Sequence, residues 1–125
     1  MHGTGEGGKT LTNMIKLVRT HKENLLLYDR ISKLDRWHVL SPTTQLMIVV
    51  TIFEKVSFAD MRSITHIDRT TIRENLQKLL DLGSLDGEWK KSEKTKTWEI
   101  YYSVSYNSRR FADNLLIELV KGLDE

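Results

Sequence analysis

The stretch ADMRSITHIDRTTIRENLQKLLDLGSL, residues 59–85, decides the fold. In its first part, Met61 and Ile64 have the spacing of side chains on one face of a short helix. Thr65–Asp68 follows as a tight connection that contains no run of helical apolar spacing. The pattern predicts one short helix that ends before a turn.

The second part of the stretch predicts a longer helix over about residues 69–82. Asp68 is its expected N-cap, because a short carboxylate accepts from the free N–H groups of the first turn. Gly83 is its expected left-handed end. The inward stripe consists of Ile72, Leu76, Leu79 and Leu80. A helix-turn-helix is the resulting prediction.

Upstream of this unit, Ser41-Pro42 has the pattern of an N-cap followed by proline in the first helical position. The helix predicted from there to Val56 is apolar nearly all round. Such a helix is buried on both sides. We therefore expect it to lie between the core of the unit and the long N-terminal helix.

Downstream, alternating apolar residues predict two strands, near residues 84–89 and 97–104, joined by a basic loop. Leu85 and Trp89 share one face of the first strand. The second strand places Trp98, Ile100, Tyr102 and Val104 on one face. We expect Trp89 to pair with Trp98, with Glu88 opposite Glu99. We expect both tryptophans to belong to the core; the alternative is a base-stacking platform.

Two flanking helices are predicted to form a dimer. The first, about residues 11–34, carries a seam with alternating spacings of three and four: Leu11, Met14, Val18, His21, Leu25 and Tyr28. The last, about residues 108–121, carries Phe111, Leu115, Leu116, Leu119 and Val120. Their apolar surface exceeds what one small domain covers, so we expect a homodimer through Phe111, Leu115 and Leu119 together with that seam.

The predicted fold class is mainly α with a small β-hairpin (α+β), in one folded unit with flanking helices. The boundaries are residues 1–10 as a flexible tail, 11–40 as the N-terminal dimerisation helix and its connection, 41–105 as the central domain, and 106–125 as the C-terminal dimerisation helix.

The residues Ile67-Asp68-Arg69-Thr70-Thr71-Ile72, then Leu79 and Gly83, resemble the helix-turn-helix of the MarR and ArsR type of regulators. The resemblance covers about residues 41–104, although lysines occupy the wing where MarR proteins carry an acidic residue and an arginine. It implies a winged helix-turn-helix with long dimerisation helices. It also implies a transcriptional regulator, and a repressor where its binding blocks the polymerase.

The residues themselves also point to double-stranded DNA. Once the inward stripe is removed, the second helix presents Arg69, Thr70, Arg73, Glu74, Gln77 and Lys78. A major groove admits a helix, so we expect Arg73 and Gln77 to contact bases and Glu74 to accept from cytosine. Thr70 and Thr71 in the first turn suit a phosphate. The loop lysines Lys90, Lys91, Lys94 and Lys96 suit the DNA backbone.

Composition limits the other function classes. The chain has 125 residues, no cysteine and a net charge of +2, so DNA binding depends on where the charges lie. We find no metal-ligand spacing, cofactor motif or catalytic constellation and expect a non-enzymatic protein without cofactors. We also expect no signal peptide or membrane span, and a cytoplasmic location.

Two alternatives remain open at this point. The basic helix face and the lysine loop are also what an ordinary solvated surface looks like, and winged helices also serve as protein–protein adaptors without DNA binding. A cleft between the dimer helices and the domain could hold a small-molecule effector, but no residue requires one.

Overall fold

The computed structural model describes residues 19–124. This part of the chain is mainly helical, with a small three-stranded antiparallel sheet, as the α+β prediction requires. The elements in chain order are α1 (His21–Ile31), α2 (Asp35–His38), α3 (Pro42–Phe53), β1 (Val56–Ser57), α4 (Phe58–Thr65), α5 (Arg69–Asp81), β2 (Leu85–Lys91), β3 (Trp98–Val104), a 3-10 turn (Tyr106–Ser108) and α6 (Arg109–Asp124).

Side-chain caps set where the central helices begin. The Ser41 hydroxyl accepts from the backbone N–H of Thr44 at 3.2 Å, so α3 starts at Pro42 as predicted. Ser57 and Asp60 form a capping box at the start of α4. Beyond α5, Gly83 has a φ of 74°, which confirms the predicted left-handed residue. These local signals are readable in sequence because each depends on neighbours three residues away or fewer.

The first flanking helix is shorter than predicted. Thr20 has extended backbone angles and forms a capping box with Glu23, so α1 begins at His21. A continuous helix over about residues 11–34 is therefore wrong, because the reciprocal side-chain bonds of this box start a helix there. The predicted seam residues Leu11, Met14 and Val18 lie outside the described residues.

Helix α3 runs through the middle of the core, as its uninterrupted apolar sequence predicted. Residues 46–52 are all buried. One side of α3 packs with α4, α5 and the sheet, where Met61, Ile72 and Leu85 are buried. The other side packs with α1, α2 and α6, where Ile31, Trp37 and Leu116 are buried. The flanking helices thus form a second buried cluster, which α3 separates from the cluster of α4, α5 and the sheet.

The inward faces of α1 and α6 differ from the predicted dimer seam. On α1, Leu27 and Ile31 are buried, whereas His21 and Leu25 are exposed and Tyr28 is half-buried. On α6, Phe111 is exposed, Leu115 is half-buried, and Leu119 is buried among residues of α1, α2 and α3. The assignment of Leu119 to a dimer interface is thus corrected, because α1 and α3 already cover its apolar surface.

Arg19 fastens the beginning of α1 to the end of α3. Its Nε donates to the side-chain oxygen of Asn24 at 2.6 Å, and its Nη2 donates to the backbone oxygen of Ile52 at 3.0 Å. Burial lowers the pKa of this guanidinium, and nearby carboxylates, first that of Glu54, act in the opposite direction. The bonds account for how a polar side chain is accommodated where two helices meet.

The sheet has the strand order β1-β3-β2, and its hairpin register differs from the prediction. Trp89 pairs with Ile100 rather than with Trp98, and Trp98 pairs with Lys91. Glu99 consequently lies opposite Lys90, and Glu88 opposite Tyr101, so the expected repulsion between glutamates is absent. The shifted register lengthens the ladder and shortens the loop, where the N–H of Ser92 donates to the oxygen of Thr97 at 2.7 Å.

The two hairpin tryptophans are not part of the core. Trp89 is 65% exposed and Trp98 is 64% exposed, so the core assignment is wrong. Alternation identified the face correctly, since Leu85 and Val104 on the same face are buried. The core, however, ends before the hairpin does.

Candidate nucleic-acid interface

The exposed side of α5 carries six of the seven residues predicted on this helix to contact DNA. Ile72, Leu76 and Leu79 are buried against the core, as the helical stripe predicted. The remaining side is solvent-exposed and carries Arg69, Thr70, Arg73, Glu74, Gln77 and Lys78. The N-terminal half of the helix therefore offers two guanidinium groups to solvent.

These two arginines lie over a single aromatic ring. The Cζ of Arg69 is 5.9 Å and that of Arg73 is 5.5 Å from the centre of the Phe58 ring at the start of α4. A cation over an aromatic face is attracted by the ring quadrupole. Phe58 was missed in the sequence, because only tertiary packing brings the first residue of α4 beside α5.

Gln77 lies one turn beyond Arg73, at the edge of the sheet. Arg73, Gln77, Phe58 and Tyr102 line a shallow cavity of about 250 Å³. One N–H of the Gln77 amide donates to Oδ1 of Asp81 at 2.8 Å. An amide has a second N–H and an oxygen, so this bond leaves Gln77 with groups that can read a base. Arg73 and Gln77 are thus brought together beside the face of the hairpin that carries Tyr102.

The first turn of α5 is occupied by its own cap. Asp68 accepts from the backbone N–H of Thr71 at 3.0 Å and from the Thr71 hydroxyl at 2.7 Å. These bonds, the one from the hydroxyl first, hold the pKa of the Asp68 carboxyl below its usual range. The prediction that Thr71 binds a phosphate is thereby corrected, since both of its donors are engaged beside a carboxylate. Thr70 remains exposed.

The four loop lysines are exposed but do not form one row. Lys90 lies opposite Glu99 and Lys91 opposite Trp98, on alternate faces of the hairpin. Lys90, Lys91 and Lys94 all line a cavity of about 350 Å³ with His21 and Asp60, on the side of α1 and α4. Lys96 has a left-handed backbone with a φ of 60°. The lysines therefore surround the end of the hairpin, and three of the four border one cavity.

A further basic residue lies between α4 and the start of α5. Arg62, His66 and Arg69 line a cavity of about 660 Å³ together with Asp68. Sequence reasoning left Arg62 out, although it stands one position after the inward-facing Met61 and its helical position already pointed to solvent. It extends the basic surface of α5 onto the preceding helix.

Within residues 19–124, no group of three or more histidine and carboxylate residues is placed to hold a metal ion. In the same part of the chain, no helix combines the length and the apolarity that crossing a membrane demands. Comparison with models of known protein families, with curated proteins and with solved structures finds no match for this chain.

Proposed function

We propose that this chain is a sequence-specific double-stranded DNA-binding regulator, in which α4, its turn and α5 act as a helix-turn-helix. The observation that carries the proposal is the exposed face of α5, where Arg69 and Arg73 lie over Phe58 and Gln77 follows one turn later. A helix that enters a major groove reads bases with exposed side chains of this kind.

In the proposed complex, α5 is the recognition helix. Arg73 donates to the O6 and N7 of guanine, Gln77 contacts adenine, and Glu74 accepts from cytosine. Arg69 and Arg62 contact backbone phosphates on either side of the groove. Asp68 keeps phosphates away from the first N–H groups of α5, so the phosphate contacts come from side chains.

The hairpin acts as the wing. The order β1-β3-β2 places β2 and β3 beside the unit formed by α4 and α5. Its exposed lysines neutralise phosphates in a way that does not depend on sequence. Because they surround the end of the hairpin, the wing positions the protein on the duplex and leaves base reading to α5.

The regulator acts as a homodimer. Large apolar side chains remain exposed on α1 and α6, where Leu25 is 40%, Leu26 is 55% and Phe111 is 62% exposed. A two-fold pair would present two copies of α5 to a pseudo-palindromic site, with half-sites about 34 Å apart. Bound at a promoter, such a dimer represses by blocking the polymerase.

The test is fluorescence anisotropy with a labelled random duplex of about 30 base pairs, titrated between about 50 and 200 mM salt. We expect micromolar or tighter binding whose affinity falls steeply as salt rises. Absence of binding at the lowest salt would reject the proposal. Light scattering on the same sample gives the mass, for which we expect a dimer.

The second candidate is a protein–protein adaptor. The exposed apolar residues of α1 and α6 favour it, as does a net charge of only +2. An adaptor of this kind would show no salt-dependent affinity for the duplex, so the same titration separates the two candidates.

A further inference from the structure

Two of the three tryptophans of the chain are exposed at the same place. Trp37 is 5% exposed, whereas Trp89 and Trp98 are 65% and 64% exposed on adjacent strands. Exposure of two such large rings is unfavourable in an isolated protein, and contiguous exposed apolar surface marks a binding site.

Both rings lie on the inner face of the hairpin. The register places four cross-strand pairs on this face: Leu85–Val104, Gly87–Tyr102, Trp89–Ile100 and Lys91–Trp98. The first pair is buried in the core, and the exposed surface starts beyond Tyr102. We call Trp89, Trp98 and Ile100 the tryptophan surface.

Gly87 keeps this surface continuous. A Cβ at Gly87 would lie 3.0 Å from Cγ2 of Ile100 and 3.7 Å from Cε1 of Tyr102. The two β3 side chains therefore lean over the glycine and fill the gap between the core and Trp89. Side chains of β3 thus cover the backbone of Gly87 between the core and Trp89.

Charge is divided between the two faces of the hairpin. The acidic residues of the strands, Asp86, Glu88 and Glu99, alternate onto the outer face, where Glu88 lies 3.6 Å from the Nζ of Lys55. The inner face carries no strand carboxylate. Lys91 belongs to it by strand alternation and also lines the cavity on the side of α1 and α4. Toward the core, Tyr102 shares a cavity with Arg73. The tryptophan surface is thus bordered by cations at both ends.

We propose that the tryptophan surface binds single-stranded nucleic acid, as a second activity beside duplex binding by α5, with which it shares Arg73. Aromatic rings bordered by cations are what unpaired bases on a phosphate backbone require, because every base has a stacking face. Trp89 and Trp98 are diagonal neighbours on adjacent strands, so their Cα atoms are roughly 7–8 Å apart. Two successive unpaired bases can span this distance. Lys91 and Arg73 contact the phosphates on either side.

A second copy of this chain fits the surface less well. In a two-fold contact the same patch meets itself, so Lys91 and Arg73 of both copies would be brought into one interface. Like charges across an interface oppose association. A polyanion removes this repulsion, and for that reason we assign the surface to a nucleic acid strand.

The experiment follows tryptophan emission while an oligothymidylate of about 20 nucleotides is added at low salt. We expect quenching of the exposed indoles, with a residual emission from buried Trp37. Trp89→Ala and Trp98→Ala should each weaken binding about 5- to 100-fold, measured by anisotropy of the labelled oligothymidylate. Tyr106→Ala, which removes an exposed aromatic ring from the 3-10 turn, should leave the affinity unchanged.

Parallel measurements separate this proposal from the proposed regulator. Binding of the random duplex without binding of oligothymidylate overturns the single-strand proposal alone. Equal loss of both affinities in the Trp89→Ala, Trp98→Ala double variant also overturns it, since the rings would then serve the duplex. A dimer that becomes a monomer in the double variant would assign the surface to a second copy and overturn it as well. Circular dichroism verifies that the variants are folded.

Discussion

On one face of the β2–β3 hairpin, the residues at the base are buried and those at the tip are exposed to solvent. At the base, Leu85 and Val104 are 2% and 5% exposed and belong to the core with Ile72 and Leu76 of α5. At the tip, on the same face, two much larger tryptophan side chains are exposed to solvent. Size and hydrophobicity therefore do not explain which end is buried.

The difference comes from the helix that covers the sheet. α5 packs on β2 near its beginning, and Tyr102 is the last β3 residue on this face that packs against the core. Beyond Tyr102 no described helix covers this face. Apolar residues therefore continue to alternate along the strands, but they are not buried. The base is thus a structural element, whereas the tip is the surface that we propose binds nucleic acid.

Leu85→Ala, at the base of the hairpin, should change the free energy of unfolding more than any other variant considered below. Removing a buried leucine side chain leaves a cavity and should lower the free energy of unfolding by about 2–5 kcal/mol. Trp98→Ala removes more atoms but should change it by about 0.5 kcal/mol or less, because the ring is exposed. Urea unfolding of both variants measures this. Equal losses would show that the tip is as structural as the base.

Arg73→Ala tests the helix beside the tip. We expect duplex binding to weaken by about 1–3 kcal/mol and specificity to relax at one base pair, with unchanged stability. The measurement is affinity for a selected duplex and for its single-base variants. Arg30→Ala, an exposed arginine on α1, is the control. Unchanged affinity for every duplex would remove Arg73 from the recognition surface.

Gly83→Ala tests the turn that leads into the base of the hairpin. An added Cβ would meet no described atom within 4 Å, so the cost is the backbone strain of a φ of 74° alone. We expect a loss of about 1–2 kcal/mol in unfolding free energy. Gly83→Asn should lose less, because asparagine tolerates the left-handed region. Identical losses in the two variants would contradict this explanation.

The double variant Lys91→Ala, Lys94→Ala tests the charge of the tip. It should weaken binding to duplexes of every sequence by the same factor. The slope of log affinity against log salt should become shallower by roughly 0.9 for each phosphate that is no longer neutralised. Lys33→Ala, Lys121→Ala removes one exposed lysine from the turn after α1 and one from α6, and should leave the slope unchanged. A slope that the first pair does not alter would mean that the tip binds no phosphate.

Asp68→Ala should have the smallest effect of these variants, a loss of stability that depends on pH. The carboxyl pKa is held below its ordinary value of 3.8, so the stabilisation by Asp68 is present above that value. It is lost as the pH falls through the lower pKa of the folded protein. We expect the variant to melt at a lower temperature than the parent at neutral pH and the difference to shrink below about pH 4. A constant difference would exclude the carboxylate as its cause.

Much of the candidate site could be predicted from the sequence. The division of α5 into a buried stripe and an exposed basic side follows from the helical repeat, and its cap and its left-handed end follow from Asp68 and Gly83. The engagement of Thr71 by Asp68 was equally local and follows from the cap itself. The position of Phe58 beside the two arginines could not be predicted, because residues from different elements meet there.

The sequence by itself determined the order of α3, α4, α5 and the hairpin, the caps Ser41 and Asp68, and the face of each hairpin strand, because these depend on neighbours within one helical turn or on alternation. Strand β1 was not predicted. The tertiary structure alone decided the hairpin register, the exposure of Trp89 and Trp98, and the burial of Leu119 within its own chain. The physical reason is that burial depends on what packs opposite a residue. Local hydrophobicity shows which face is apolar, and only the packing of α5 and α3 determines how far that face is covered.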